Sequence, residues 1–167
     1  MDWTPNVQGV QWLKDEVWPL VHQASPELRL LLAGRQMPED WASDESLGID
    51  ILGEVEDAQA TYNSPCIVVV PLHAGSGMRI KLAEALASGR PVVTTTKGME
   101  GMDLTPGKHV WVADDAPAMG KALVHLIQSP DTAIELGKAG RQWALDHLDH
   151  RARARILTDY LQSWVDA

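Results

Sequence analysis

Residues 66–101, CIVVVPLHAGSGMRIKLAEALASGRPVVTTTKGMEG, constrain the fold more than any other stretch of the chain. Cys66 to Leu72 is a short continuous apolar run, the pattern of a strand buried on both faces of a parallel sheet. His73 to Gly77 is a flexible loop in which Gly75 and Gly77 flank Ser76. Met78 to Ser88 has helical spacing, with Ile80, Ala83, Leu86 and Ala87 on one side. Gly89 suits the left-handed position past a helix end, and Pro91 forbids continuation. Pro91 to Thr95 is β-branched and returns to strand. Strand, helix and strand in this order predict a right-handed parallel crossover. The glycine loop then lies at the carboxyl end of the sheet, where open α/β folds bind ligands.

The chemistry of that loop follows from its backbone. Amides at Gly75, Ser76, Gly77 and Met78, with the positive end of the helix behind them, form an anion site. Glu84 follows Met78 by six residues, which at a rise of 1.5 Å per residue puts it about 9 Å along the helix. That is near the distance from a diphosphate to its attached ribose, and a carboxylate suits a vicinal diol. Arg79 and Lys81 flank the helix start and can neutralise phosphate; Lys81 and Glu84 are equally spaced for an intrahelical ion pair. His73 follows the strand at the sheet top, placed either for a phosphate or sugar contact or as a partly buried loop histidine.

VVVPLHAGSGMRIKLAEALASGRPVVTTTKGMEGMDL resembles the carboxyl-terminal domain of a retaining GT-B glycosyltransferase of the family 4 type. The resemblance extends to Met1 to Asn6, Gly9, Glu16 to Pro19, Ile51 to Val55, and Gly107 to Asp115 with the helices beyond. It implies a domain that binds a nucleoside-diphosphate sugar, with Glu84 on the ribose hydroxyls. Such enzymes often carry two glutamates with seven residues between them; here the first would fall at Ser76 and is absent. The amides around Gly75 to Gly77 would take over its sugar contact. The resemblance also implies that Gly98, Glu100 and Gly101 touch donor or acceptor sugar, a plain turn being the other reading, and that Gly53 to Val55 border the base. It singles out no catalytic residue, and it implies no metal and no cofactor beyond the sugar nucleotide. A separate amino-terminal acceptor domain would be the partner, and the only route to peripheral membrane association. Cell-surface polysaccharide biosynthesis is the process such enzymes serve.

With 167 residues the chain is long enough for one domain with a real core, residues 1–167. A formal charge of −9 argues against general binding to nucleic acid or anionic membranes. The single cysteine, Cys66, excludes an internal disulfide and reads as an inert core thiol. No run has the apolar length of a membrane span and no signal peptide is present, which fits a reducing cytoplasm.

In chain order, Asn6 caps a helix beginning at Val7, kinked at Pro19, with Val10, Leu13, Val17, Leu20, Val21 and Ala24 in its apolar stripe. Trp3, Trp12 and Trp18 read as packing against the sheet rather than as a stacking platform. Strands are predicted over 28–33, 48–53 and 110–113. Short helices are predicted over 38–43 and 57–63, and longer ones over 116–128, 131–147 and 151–165. His147 and His150 with Asp146 and Asp149 have metal-ligand spacing, but read as a solvated helix junction. Gly75 to Arg79 lacks the Lys-Ser/Thr end of a P-loop. The alternation gives a doubly wound, Rossmann-like parallel α/β sheet with helices on both faces. The resemblance places one more strand, inner to the sheet, just before Met1, so the first strand is expected to lie outside this sequence. The gap would then either close up or be filled by another segment. Two readings compete with a transferase: a non-catalytic nucleotide-binding or scaffold domain, and a nucleotide-sugar epimerase of GT-B-like architecture.

Overall fold

A computed structural model of the chain describes residues 3–56, 60–62, 65–75, 77 and 79–148. The first helical stretch begins at Thr4, with Pro5 in its first turn, where a missing N–H costs nothing. Asn6 is therefore inside the helix rather than its cap. The stretch runs through α1 (Thr4–Trp12), a π-helical segment (Leu13–Val17) and α2 (Trp18–Ala24). The irregularity expected at Pro19 takes the form of that π segment, which ends just before the proline.

Two parallel strands follow, β1 (Leu30–Ala33) and β2 (Ile49–Gly53). Between them, residues 38–43 are irregular, and the helical turn is a 3-10 turn at Glu45–Leu47, capped by Asp44. Arg29 ties this turn to β2 with bonds to Glu45 at 2.9 Å and Asp50 at 2.6 Å. A 3-10 turn at Ala60–Tyr62 precedes β3 (Val68–Val70), so the apolar run 66–72 is longer than its strand. Cys66 sits before that strand and is half-buried; its thiol pKa is raised by burial. Then come α3 (Ile80–Ala87), β4 (Val92–Thr94), β5 (Trp111–Val112), α4 (Ala116–Gln128) and α5 (Pro130–His147). The helix predicted over 151–165 lies outside the described residues, as do His150 and Asp149. Among the described residues no cluster of three metal-ligating side chains occurs, and His147 stacks on Trp143.

Adjacent residues of β4 show why helices cover both faces. Val93 joins a core with α2, α4 and strands β1 and β2 through Leu30, Leu32, Val21 and Met119. Val92 joins a second core with α3 and α5 through Leu82, Leu86 and Trp143. The buried face of α3 is thus Leu82, Ala85 and Leu86, while Ile80 is 62% exposed and Ala87 is exposed. The stripe predicted through Ile80 and Ala87 is rotated because the helix packs α5 as well as the sheet. Glycines allow that close approach. A Cβ at Gly137 would sit 2.3 Å from the Gly89 carbonyl oxygen, and one at Gly140 2.7 Å from Leu86 Cδ2.

The strands form two sheets, β1–β2 and β3–β4–β5, parallel within each. Among the described residues no strand precedes α1 and no ladder joins β1 to β3.

His109 stands in the turn leading to β5. Its Nδ1 accepts the Thr105 N–H at 3.0 Å, and burial, then Lys108 and His147, hold its pKa below the ordinary value. The folded state therefore favours the neutral ring. Its contribution to stability is complete above the unfolded histidine pKa of about 6.5 and is lost as pH falls through the lower folded value. Melting temperature should fall between pH 7.5 and 5, and the fall should be shallower for His109→Gln.

Candidate functional site

The carboxyl ends of β3 and β4 are stitched together by hydroxyls. Thr94 Oγ1 donates to the Val70 carbonyl at 2.9 Å, and Thr95 Oγ1 to that of Leu72. Thr95 Oγ1 also accepts the Gly98 N–H at 2.9 Å. Gly98 is buried, and a Cβ there would lie 2.2 Å from Thr94 Oγ1. It serves this close turn, whereas Glu100 and Gly101 are exposed on the same loop. Glu100 pairs with Lys97 at 2.6 Å, and this bond holds its carboxyl below the usual range.

The glycine loop lies beside this turn. Gly75 has φ +99°, and a Cβ there would collide with the Trp3 ring at 2.3 Å, so only glycine fits. Gly77 has φ +95° and is exposed. Ser76 and Met78 lie outside the described residues. His73 is exposed and meets the Trp12 ring edge-on, with centroids 4.4 Å apart. Gly9 lets α1 touch the end of β3: its Cβ would sit 2.2 Å from the Pro71 carbonyl oxygen. Trp18 is buried, with its Nε1 donating to the Leu47 carbonyl at 2.6 Å. The three tryptophans therefore do not form one platform: Trp18 is core, Trp12 meets His73, and Trp3 covers Gly75.

Arg79 caps the amino end of α3 by position but not by side chain. Among the described residues the first amides of α3 have no side-chain acceptor, in contrast to α4, where Asp115 accepts from the Ala118 N–H at 2.7 Å. Arg79 is only 5% exposed. Its Nη2 donates to the Gly75 carbonyl at 3.0 Å and the Lys97 carbonyl at 3.2 Å, and its Nε has no partner. Among the described residues it makes no ion pair. A buried cation ordinarily has an anionic partner, because desolvation is costly.

Glu84 is half-buried on α3, off the core face. It approaches Tyr62 closely enough for its charge to help raise the phenol pKa, after burial. Lys81 is exposed, and no Lys81–Glu84 ion pair forms among the described residues. Because α3 starts at Ile80, Glu84 lies about 6 Å along the axis from its first residue. The structure thus gathers Gly75, Gly77, Arg79 and Glu100 at the sheet top, with Lys81 and Glu84 on the helix behind and His73 at the side. Two neighbours escaped the sequence reading. Trp3, read from the sequence as packing against the sheet, has no local signal for its contact with Gly75, whereas Lys97 could have been found from its i,i+3 spacing to Glu100.

A family model described as glycosyl transferases group 1 matches residues 1–129. The chain belongs to that family. Among curated members and relatives, a phosphatidyl-myo-inositol mannosyltransferase of Mycobacterium leprae is 30% identical over 129 residues, 73% of this chain and 34% of that protein. A GDP-mannose-dependent alpha-(1-6)-phosphatidylinositol monomannoside mannosyltransferase of Mycolicibacterium smegmatis is 37% identical over 93 residues, 54% of this chain and 24% of that protein. An uncharacterized 44.6 kDa protein in the cps region of Klebsiella pneumoniae is 26% identical over 129 residues, 72% of this chain and 33% of that protein. The chain therefore spans about a third or less of the length of these relatives. A sucrose-phosphate synthase from Thermosynechococcus elongatus superposes on 98% of the chain and 43% of its own, with TM-score 0.70 and 20% identity, which gives this group 1 domain the GT-B fold. No helix among its described residues is long and apolar enough to cross a membrane.

Proposed function

We propose that this domain binds the nucleoside-diphosphate sugar donor of a glycosyltransferase that retains anomeric configuration. The observation that carries the reading is Arg79: a buried cation with no ion pair among the described residues, at an amino end of α3 that its side chain does not cap. An anion at that helix end would meet backbone amides, a helix dipole and the Arg79 charge together. Diphosphate would sit against Gly75, Gly77 and the first turn of α3, with Lys81 nearby and ribose beside Glu84. Stabilising the departing diphosphate is then the domain's catalytic contribution, an electrostatic one. His73 and Glu100 would border the sugar. The printed name of the Mycolicibacterium relative, GDP-mannose-dependent, supports a donor of this class. The greater length of the relatives supports a second domain that brings an acceptor glycan or lipid and closes the cleft. The cps-region relative supports a role in surface polysaccharide. This reading places the domain in the cytoplasm, reaching a membrane only through the acceptor domain.

Calorimetric titration with UDP, GDP and ADP tests it. One of the three should bind at least tenfold more tightly than its own nucleoside. Absence of binding by all three would leave a scaffold as the better account.

A further inference from the structure

We propose that Arg79 is a positioning residue that locks the glycine loop to the loop after β4, and that it does so through backbone carbonyls rather than by touching phosphate. One nitrogen, Nη2, bonds the Gly75 carbonyl at 3.0 Å and the Lys97 carbonyl at 3.2 Å. These carbonyls belong to different loops, 18 residues separating Arg79 from Lys97 in sequence. Nη1 lies 3.4 Å from the position a Gly75 Cβ would take, and Trp3 lies 2.3 Å from the same point. The Gly75 backbone is thus held close between an indole and a guanidinium. Burial leaves Arg79 little surface to offer a ligand. The loop it anchors carries the Lys97–Glu100 pair at 2.6 Å, and Gly98 is wedged against the ends of β3 and β4. Rotation of the glycine loop would therefore carry Lys97 and Glu100 with it. Arg79 makes the two loops one rigid rim, with its charge felt through space and its geometry spent on the backbone.

Lysine keeps the charge but not the planar fork, so Arg79→Lys separates the two roles. The inference rests on the diphosphate reading for its affinity arm and is independent of it for its exchange arm. Arg79→Lys and Arg79→Met should both weaken the best-bound of UDP, GDP and ADP at least tenfold, Arg79→Met by more because it also removes the charge. In both, the amides of Gly98 and Met99 should exchange hydrogen at least tenfold faster, while those of Val92 and Val93 stay unchanged. Gly75→Ala, which leaves the guanidinium intact but forces a side chain between it and Trp3, should reproduce the faster exchange. Full affinity in Arg79→Lys with loss in Arg79→Met would make Arg79 a direct charge contact and overturn the proposal. Unchanged exchange at Gly98 and Met99 in all three variants would overturn it too. If the unsubstituted protein binds no diphosphate, the donor reading fails, and the exchange comparison alone decides the tether.

Discussion

Replacing Glu84 with alanine should cut affinity for the preferred nucleoside diphosphate by about 10- to 150-fold, the effect of losing charged hydrogen bonds worth about 1.5–3 kcal/mol. The same change should leave the melting temperature nearly where it was. Glu84 is half-buried, faces away from the core of α3 and makes no ion pair among the described residues. Substitutions at such positions usually stay within about 0.5 kcal/mol, and alanine favours the helix. A local control is available at Tyr62, whose phenol pKa is held up first by burial and then by the Glu84 charge. In Glu84→Ala that phenol should titrate at lower pH. Isothermal titration, thermal melting and ultraviolet titration of tyrosine together check the assignment. A variant with unaltered affinity for UDP, GDP and ADP would remove Glu84 from the proposed ribose contact.

Leu86→Ala should have the opposite signature, with a loss of about 2–5 kcal/mol in stability. Leu86 is fully buried in the core shared by α3, α5, β3 and β4. Its Cδ2 fits the bare backbone of Gly140, 2.7 Å from where a Cβ would stand. Neither neighbour can refill the space: Gly140 has no side chain, and its backbone already approaches the His109 carbonyl. Chemical denaturation should show a lower midpoint with unchanged slope. Nucleotide affinity in the residual folded protein should be near normal, because Leu86 lies on the face of α3 away from the proposed ligand. A loss below about 1 kcal/mol would mean that α5 moves in to fill the void.

Much of this was readable before the fold was seen. The crossover through β3, α3 and β4 is dictated by an apolar run, a helical spacing and the Gly89–Pro91 stop. The span of α4 could be read in full because the pair Asp114 and Asp115 followed by Pro117 marks its start chemically, Asp115 being the one that caps it. The first helix was misplaced because Asn6 looks like a cap, yet Pro5 is better placed within the first turn than before it. The face of α3 was misjudged because its burial is decided by α5, whose glycines act at long range. At the site, Gly75 and Arg79 were legible as glycine and cation, but not the indole against one and the two carbonyls on the other. Those contacts join residues 3, 75, 79 and 97, which no local pattern connects.

The interruption between β1 and β3 has a bearing on how a ligand would be held. The resemblance would put the base along Gly53 to Val55, past β2, while the proposed pose puts the diphosphate past β3. No peptide ladder among the described residues measures the span between those two ends; shared apolar packing does, and packing of that kind has no preferred direction. A nucleotide lying across both would act as a cross-brace, and its own length would set the spacing of the halves it joins.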